Sequence, residues 1–386
     1  MRRWLTALSI VFTATVVVFV LVNLIAAPFA PERRSLVWEH PVFNEATRAI
    51  YERIYGLPIA TVREIVNEAW AEHPWIFEPY VQFRERPRTG QWVNISTEGY
   101  RLNRRDDRAR FTPVRGAVFL LGGSTTFGYG VRDQDTIAAH LEQMLRQEHP
   151  TYPGAIGVYN FGRGYYGLSQ EVLLLKSLVQ RGMVPAVAVF IDGVNEQFCP
   201  TYSDNIAEAF RIIQDDPRAQ LRAAVMGLPI VRLFARRHVS ELAANALFRN
   251  RSVAGSGFEC GCPEESRCRA QFLAMMRANR QMVRALAREF GFEAHFVLQP
   301  VGGYRNRFTV SPEGMPARDW APIWRELERY TEGEHEHSLT ASLEDFQGEA
   351  FVDFLHYSAG ANRRIAERLS PIVAGALRAL PGRSGR

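Results

Sequence analysis

The chain has 386 residues, a formal charge of +5, and 47% hydrophobic and 23% charged side chains. That length supports one large α/β core with room for an appendage, and the composition excludes a disordered or fibrous chain. The positive charge is almost all arginine, with Lys176 the single lysine, and no basic block interleaves with aromatics, so nothing points to nucleic acid.

Met1-Arg2-Arg3 precedes an uncharged run from Leu5 to Ala27. A helix of that length spans about 35 Å, enough to cross a hydrocarbon core. A cleaved signal has an apolar region of only about 7–15 residues, and Pro28 spoils the cleavage signature in Pro28-Phe29-Ala30. Residues 1–30 therefore read as a retained signal anchor, with membrane contact through residues 5–27. Arg2, Arg3 and the amino terminus outweigh Arg33 and Arg34, which Glu32 partly offsets. That bias places the body of the chain on the extracytoplasmic side, periplasmic if the source is bacterial.

Residues 31–75 read as a helical stalk, from the spacing of Val42, Ala46, Ile50 and Ile54 and then Ile59, Val62, Ile65, Val66 and Ala69. Residues 76–386 form the main domain. Trp92-Val93-Asn94-Ile95 alternates like an edge strand. Asn94-Ile95-Ser96 and Asn250-Arg251-Ser252 spell glycosylation sequons.

From residue 116 the pattern becomes β-α-β-α. Apolar strands are expected at Ala117–Leu121, Val158–Phe161, Ala186–Ile191 and Ala294–Leu298, with a short fifth at Ala350–Val352. Helices fall between them: one capped by Asp135, one from about Ser169 to Arg181, one through Phe272 to Phe290, and a last from about Ala361 to Leu380. Strands buried on both faces and alternating with helices predict a three-layer α/β fold, a parallel sheet flanked by helices. Ligands in such sheets sit outside the carboxyl ends of the strands. Residues 198–270 exceed any crossover and read as a helical, lid-like insertion. They carry Cys199, Cys260, Cys262 and Cys268, for which disulfides are favoured in an exported protein, with the pairing left open.

Three segments at the ends of these strands carry chemistry: Gly122-Gly123-Ser124, Gly193-Val194-Asn195 and Asp353-Phe354-Leu355-His356. A serine hydroxyl needs a neutral imidazole to accept its proton, and His356 is the candidate base. Asp353, three residues earlier, can hold the imidazole Nδ1–H. The Ser124 backbone N–H, a glycine N–H after Asn160 and the Asn195 amide are the candidate oxyanion donors.

Alone, each has an ordinary explanation. Ser124 could be a helix N-cap, Asp353 and His356 a cap beside a surface imidazole, and Gly162, Gly164 and Asn195 turn residues. Their occurrence together, in order and at strand ends, favours the chemical reading. The G-x-S-x-G elbow is absent, because Thr125-Thr126 follows the serine.

These blocks resemble the SGNH/GDSL hydrolase family over about residues 116–375. Leu121-Gly122-Gly123-Ser124 resembles its first block, Asn160-Phe161-Gly162-Arg163-Gly164 its second, Gly193-Val194-Asn195 its third and Asp353-Phe354-Leu355-His356 its last. The resemblance implies a flavodoxin-like sheet and ester cleavage through an acyl-serine. It also implies an O-acyl or O-acetyl substrate, a small molecule or an envelope glycan, with no metal or organic cofactor. Two departures stand out. The family's usual Asp before the serine is Gly123, and the second block is one residue short, which favours Gly164 as donor over Gly162. An O-acyltransferase, a lipid esterase or thioesterase, and an inactive anchored binding module are the alternatives. Glu334-His335-Glu336-His337 reads as a solvated acidic loop rather than a metal site, since the sequence shows no further ligand cluster beside it. Tyr165-Tyr166 and Gln299-Pro300 are equally readable as pocket walls or as core, and Asp192 braces the third-block loop.

Overall fold

A computed structural model describes residues 2–29, 45–71, 75–105, 111, 114, 116–149, 155–195, 224–225, 228–231 and 265–379, except 313, 315, 318 and 332. The chain divides into two compact units, Met1–Glu39 with Pro200–Glu259, and His40–Cys199 with Cys260–Arg386. In the first unit, helix α1 (Arg2–Ala26) contains a 21-residue span, Thr6–Ala26, of mean hydropathy 2.6. It is long and apolar enough to cross a membrane or to serve as a signal sequence. Its described side chains are exposed nearly all round, and Asn23 donates its amide to the Phe19 carbonyl at 3.0 Å, so the helix satisfies its own polar groups.

The second unit opens with α2 (Glu45–Tyr55) and α3 (Ile59–Val66), which runs into a π-helical turn, Asn67–Ala71. The Tyr55 hydroxyl donates to the Gly130 carbonyl at 2.6 Å, tying this segment to the sheet domain. A hairpin follows, β1 (Trp75–Glu78) and β2 (Gln82–Glu85). The Trp92–Ile95 segment is not a strand. Ile95 makes single antiparallel bridges to Arg88 and Arg101.

The main sheet contains β3 (Gly116–Gly122), β4 (Ile156–Asn160), β5 (Val187–Asp192), β6 (Glu293–Leu298) and β7 (Glu336–Ser338). All neighbours are parallel, in the order β4-β3-β5-β6-β7. This is the flavodoxin-like order, whose crevice opens between the ends of β3 and β5. The fifth strand is thus Glu336–Ser338 and not Ala350–Val352. The apolar character of the latter comes from a turn, in which Phe351 bridges antiparallel to Tyr357.

Helices α5 (Ile137–Glu148), α6 (Leu168–Gln180), α7 (Glu265–Phe290), α8 (Ala321–Glu328) and α9 (Ala359–Ala379) flank the sheet, while the four-residue α4 (Ser124–Phe127) follows β3 directly. The α5 cap is Thr136, whose hydroxyl accepts the Ala139 N–H at 3.2 Å. Asp135 instead closes the preceding 3₁₀ turn. Apolar side chains of α5 and α9 cover Val118, Leu120, Val187 and Val189 on one face. On the other face, Leu298 and Val301 join Leu273, Met276 and Trp324 from α7 and α8.

Most of the expected insertion at 198–270 lies outside the described residues, as do Cys199, Cys260 and Cys262, the Asn250 sequon and part of the 31–75 segment. The Asn94 amide is buried and donates to Asp133 Oδ2 at 2.6 Å, so that sequon presents no acceptor nitrogen to solvent. Leu120 has no solvent exposure and sits in the α5–α9 core. Leu120→Ala should cost about 2–5 kcal/mol, read from denaturant unfolding. A loss under about 1 kcal/mol would mean this core is not packed as described.

Candidate active site

β3 runs out at Gly122, and Gly123 N-caps α4, so Ser124 is the first helical residue. Its backbone N–H belongs to the helix's first turn and has no intrahelical acceptor. A Cβ on Gly123 would sit 2.2 Å from Asn195 Nδ2. This accounts for the missing Asp of the first block: the Asn195 amide occupies the space that a side chain at position 123 needs. Asn195 follows β5 through Gly193, whose φ of 135° few other residues adopt. One amide hydrogen of Asn195 is donated to the Tyr166 carbonyl at 2.6 Å, which fixes the side chain and leaves the second for a ligand.

The loop Asp353–His356 brings the base. Asp353 Oδ1 accepts the N–H groups of Leu355 and His356, each at 2.7 Å, a tight Asx turn. Asp353 Oδ2 lies 2.7 Å from His356 Nδ1. On its other side His356 Nε2 lies 2.8 Å from Ser124 Oγ, across 232 residues of sequence. The Val352 N–H donates to the His356 carbonyl at 2.8 Å and closes the loop. With Nδ1–H donated to Asp353, Nε2 faces the hydroxyl as an acceptor, the geometry that proton transfer from serine requires.

Ser124, Asp353 and His356 are all buried. Trp70, from the π-helical turn, packs edge-on to the His356 ring at 4.7 Å, and Tyr129 lies 5.9 Å from it. Neither was readable as a site residue, although single π turns recur at functional sites.

The second block is arranged differently from expectation. The Gly164 N–H donates to Glu85 Oε1 at 2.8 Å and the Gly162 N–H donates to Asn160 Oδ1 at 3.0 Å. Both amides donate to internal partners, which fixes the loop backbone around them. Between Gly164 and Tyr166, Tyr165 takes φ = 63°, a strained conformation for a non-glycine, with Trp75 packed edge-on against its ring at 5.4 Å. Tyr166 is core rather than pocket wall, its hydroxyl directed at the Val81 and Phe83 carbonyls. Gln299 is likewise buried. It accepts from the Thr125 hydroxyl at 3.3 Å and donates to the Tyr357 hydroxyl at 3.3 Å, linking α4 to the His356 loop.

Glu85, at the end of β2, is buried beneath this loop. Burial pushes its carboxyl up, while Arg163 and the Gly164 N–H pull the other way. Burial, and then Glu85 itself, hold the Tyr129 phenol well above its ordinary range. Arg163 is fully buried, its Nη1 2.6 Å from Glu78 Oε2 and 3.0 Å from the Tyr166 hydroxyl.

The GDSL-like Lipase/Acylhydrolase family matches residues 118–369. The chain belongs to this family. It is a hydrolase of the SGNH type, whose fold supports ester hydrolysis. Among solved structures it is similar to an acetyl xylan esterase, at 14% identity over 67% of this chain and 99% of that one, with a TM-score of 0.35. It is also similar to an alpha/beta hydrolase enzyme from the metagenome of Lake Arreo, Spain, at 14% identity over 68% and 96% of the two chains, with a TM-score of 0.34. No curated protein matches the sequence.

The Glu85 environment gives a stability test. Its folded-state pKa is raised, so the folded acylhydrolase holds this proton more tightly than the unfolded chain does. The stability that Glu85 contributes is present at low pH and lost as pH rises past the ordinary value of 4.5. Glu85→Gln removes that titration, and its unfolding midpoint relative to the parent should climb as pH rises from 4.5 toward neutrality. A difference that stays constant across that range would contradict the buried, ionisable role.

Proposed function

We propose that this chain is a serine esterase that removes an O-acyl group, such as O-acetyl, through an acyl-serine intermediate. The observation that carries the reading is the continuous path Ser124 Oγ–His356 Nε2, 2.8 Å, and His356 Nδ1–Asp353 Oδ2, 2.7 Å. Ser124 Oγ attacks the ester carbonyl while His356 Nε2 takes its proton, and Asp353 stabilises the imidazolium. Two donors face the developing oxyanion: the Ser124 backbone N–H and the second Asn195 amide hydrogen. The imidazolium then protonates the leaving alcohol, and water attacks the acyl-serine by the same route in reverse. No step calls on a metal or an organic cofactor.

The substrate is an acylated glycan or related molecule of the cell envelope. That reading rests on the family and on the apolar N-terminal helix, read as an anchor that leaves the catalytic unit on the extracytoplasmic side.

Ser124→Ala should leave the fold intact and abolish labelling by a fluorophosphonate; undiminished labelling would refute the nucleophile. Asn195→Ala should lower kcat about 10²–10³-fold on acetylated substrates with little change in KM. An unchanged kcat removes Asn195 from the site. A panel of acylated substrates graded by chain length, run with and without added sugar acceptors, separates glycan deacetylation from lipid hydrolysis and from acyl transfer. A preference for long chains would count against the O-acetyl reading.

A further inference from the structure

At the far end of the sheet from Ser124, where β6 begins and β7 forms the edge, side chains of two neighbouring strands meet on one face. Glu293 and His295 are two apart on β6, while His335 precedes β7 and His337 lies within it. Parallel pairing sets His337 beside Val297, on the face that His295 shares. Ligand atoms of Glu293, His295 and His335 all lie within 4.8 Å of one another. His295 is buried, and its Nε2 has no hydrogen-bond partner, standing 3.4 Å from Glu293 Oε2. Its Nδ1 lies 3.1 Å from His337 Nε2. Rings of His295 and His335 meet edge to face at 4.7 Å.

We propose that Glu293, His295 and His335 form a zinc(II) site, with His337 as the outer partner that orients His295. A ligating histidine donates its other ring N–H to a fixed acceptor, which sets its tautomer and aims its lone pair. His337 Nε2 is placed to be that acceptor for His295 Nδ1–H, which leaves the lone pair on the buried, unpartnered Nε2. Two imidazoles and a carboxylate suit zinc, whereas calcium and magnesium take all-oxygen shells. Three protein ligands leave one tetrahedral position to solvent, consistent with the half-exposed Glu293 and His335.

The intervening Glu336 points to the other face. There Arg280 Nη1 holds it at 2.8 Å, Arg284 pairs with its second oxygen, and both guanidiniums stack over Phe296. The alternation His335-Glu336-His337 therefore splits a two-faced edge strand into an arginine-pairing side and a metal-facing side. A bound ion would pin β7, three residues long, to β6.

The test uses the full-length protein in detergent, stripped with a chelator and titrated with zinc chloride by calorimetry. The stripped parent should take up one equivalent more than His335→Ala or Glu293→Gln, both of which alter partly exposed side chains and should keep the parent circular dichroism spectrum. His337→Phe should keep that equivalent but weaken it about 10–100-fold. Cobalt(II) should give a visible d–d band in the parent that both ligand variants lose. Equal zinc stoichiometry in the parent and the two ligand variants would overturn the site. So would displacement of the zinc by millimolar magnesium or calcium, or full affinity in His337→Phe for the assigned role of that residue.

Discussion

A helix of four residues cannot hold itself together, because nucleation fixes several torsions for a single hydrogen bond. Yet α4 is what sets the Ser124 hydroxyl in place, and its stability has to come from outside. Arg101, fully buried, donates Nη1 to the carbonyls of Phe127 and Gly128 at 3.1 and 2.6 Å, and Nη2 to that of Val131 at 2.6 Å. Its Nε meets Asp133 Oδ1 at 2.9 Å, so the guanidinium charge is paired where water is excluded. Asn160 donates its amide to the Thr126 and Phe127 carbonyls at 3.0 and 3.2 Å. Two polar side chains thus replace the next turn that α4 lacks. The serine sits at the positive end of a helix whose negative end is neutralised.

The same economy of buried charge recurs under the second-block loop. Glu85 takes the Tyr129 hydroxyl and the Gly164 N–H, while the adjacent Arg163 holds Glu78 and the Tyr166 hydroxyl. A loop held this way cannot relax toward a ligand, so Asn195, leaning on the Tyr166 carbonyl, inherits a fixed orientation. Pre-set donors of this kind are the ones that aid catalysis, because they need not reorganise as charge develops.

Much of this is legible in the amino-acid sequence. The strands β3 to β6 are continuous apolar runs, and in a parallel sheet such runs end where ligands bind. Ser124 and Asn195 stand just past the ends of β3 and β5, whereas Asp353 and His356 follow an apolar turn that reads as a strand. What stayed hidden depends on contacts between distant segments. The edge strand β7 is a polar triplet, Glu336-His337-Ser338, without the apolar signature of a strand. Ala350–Val352 has that signature but spends it on a turn. Sequence shows that Gly164 carries an N–H but not that Glu85, 79 positions earlier, takes it. Trp70 looked like one more apolar residue of a helix, and only packing sets its ring against His356.

The site is assembled on two very different scales. Carboxylate and imidazole are joined within a turn of four residues, sealed by its own backbone. Hydroxyl and imidazole meet only through 232 positions of intervening chain and a whole sheet. Mild perturbation should therefore separate attacker from proton acceptor long before it unpairs acceptor and carboxylate.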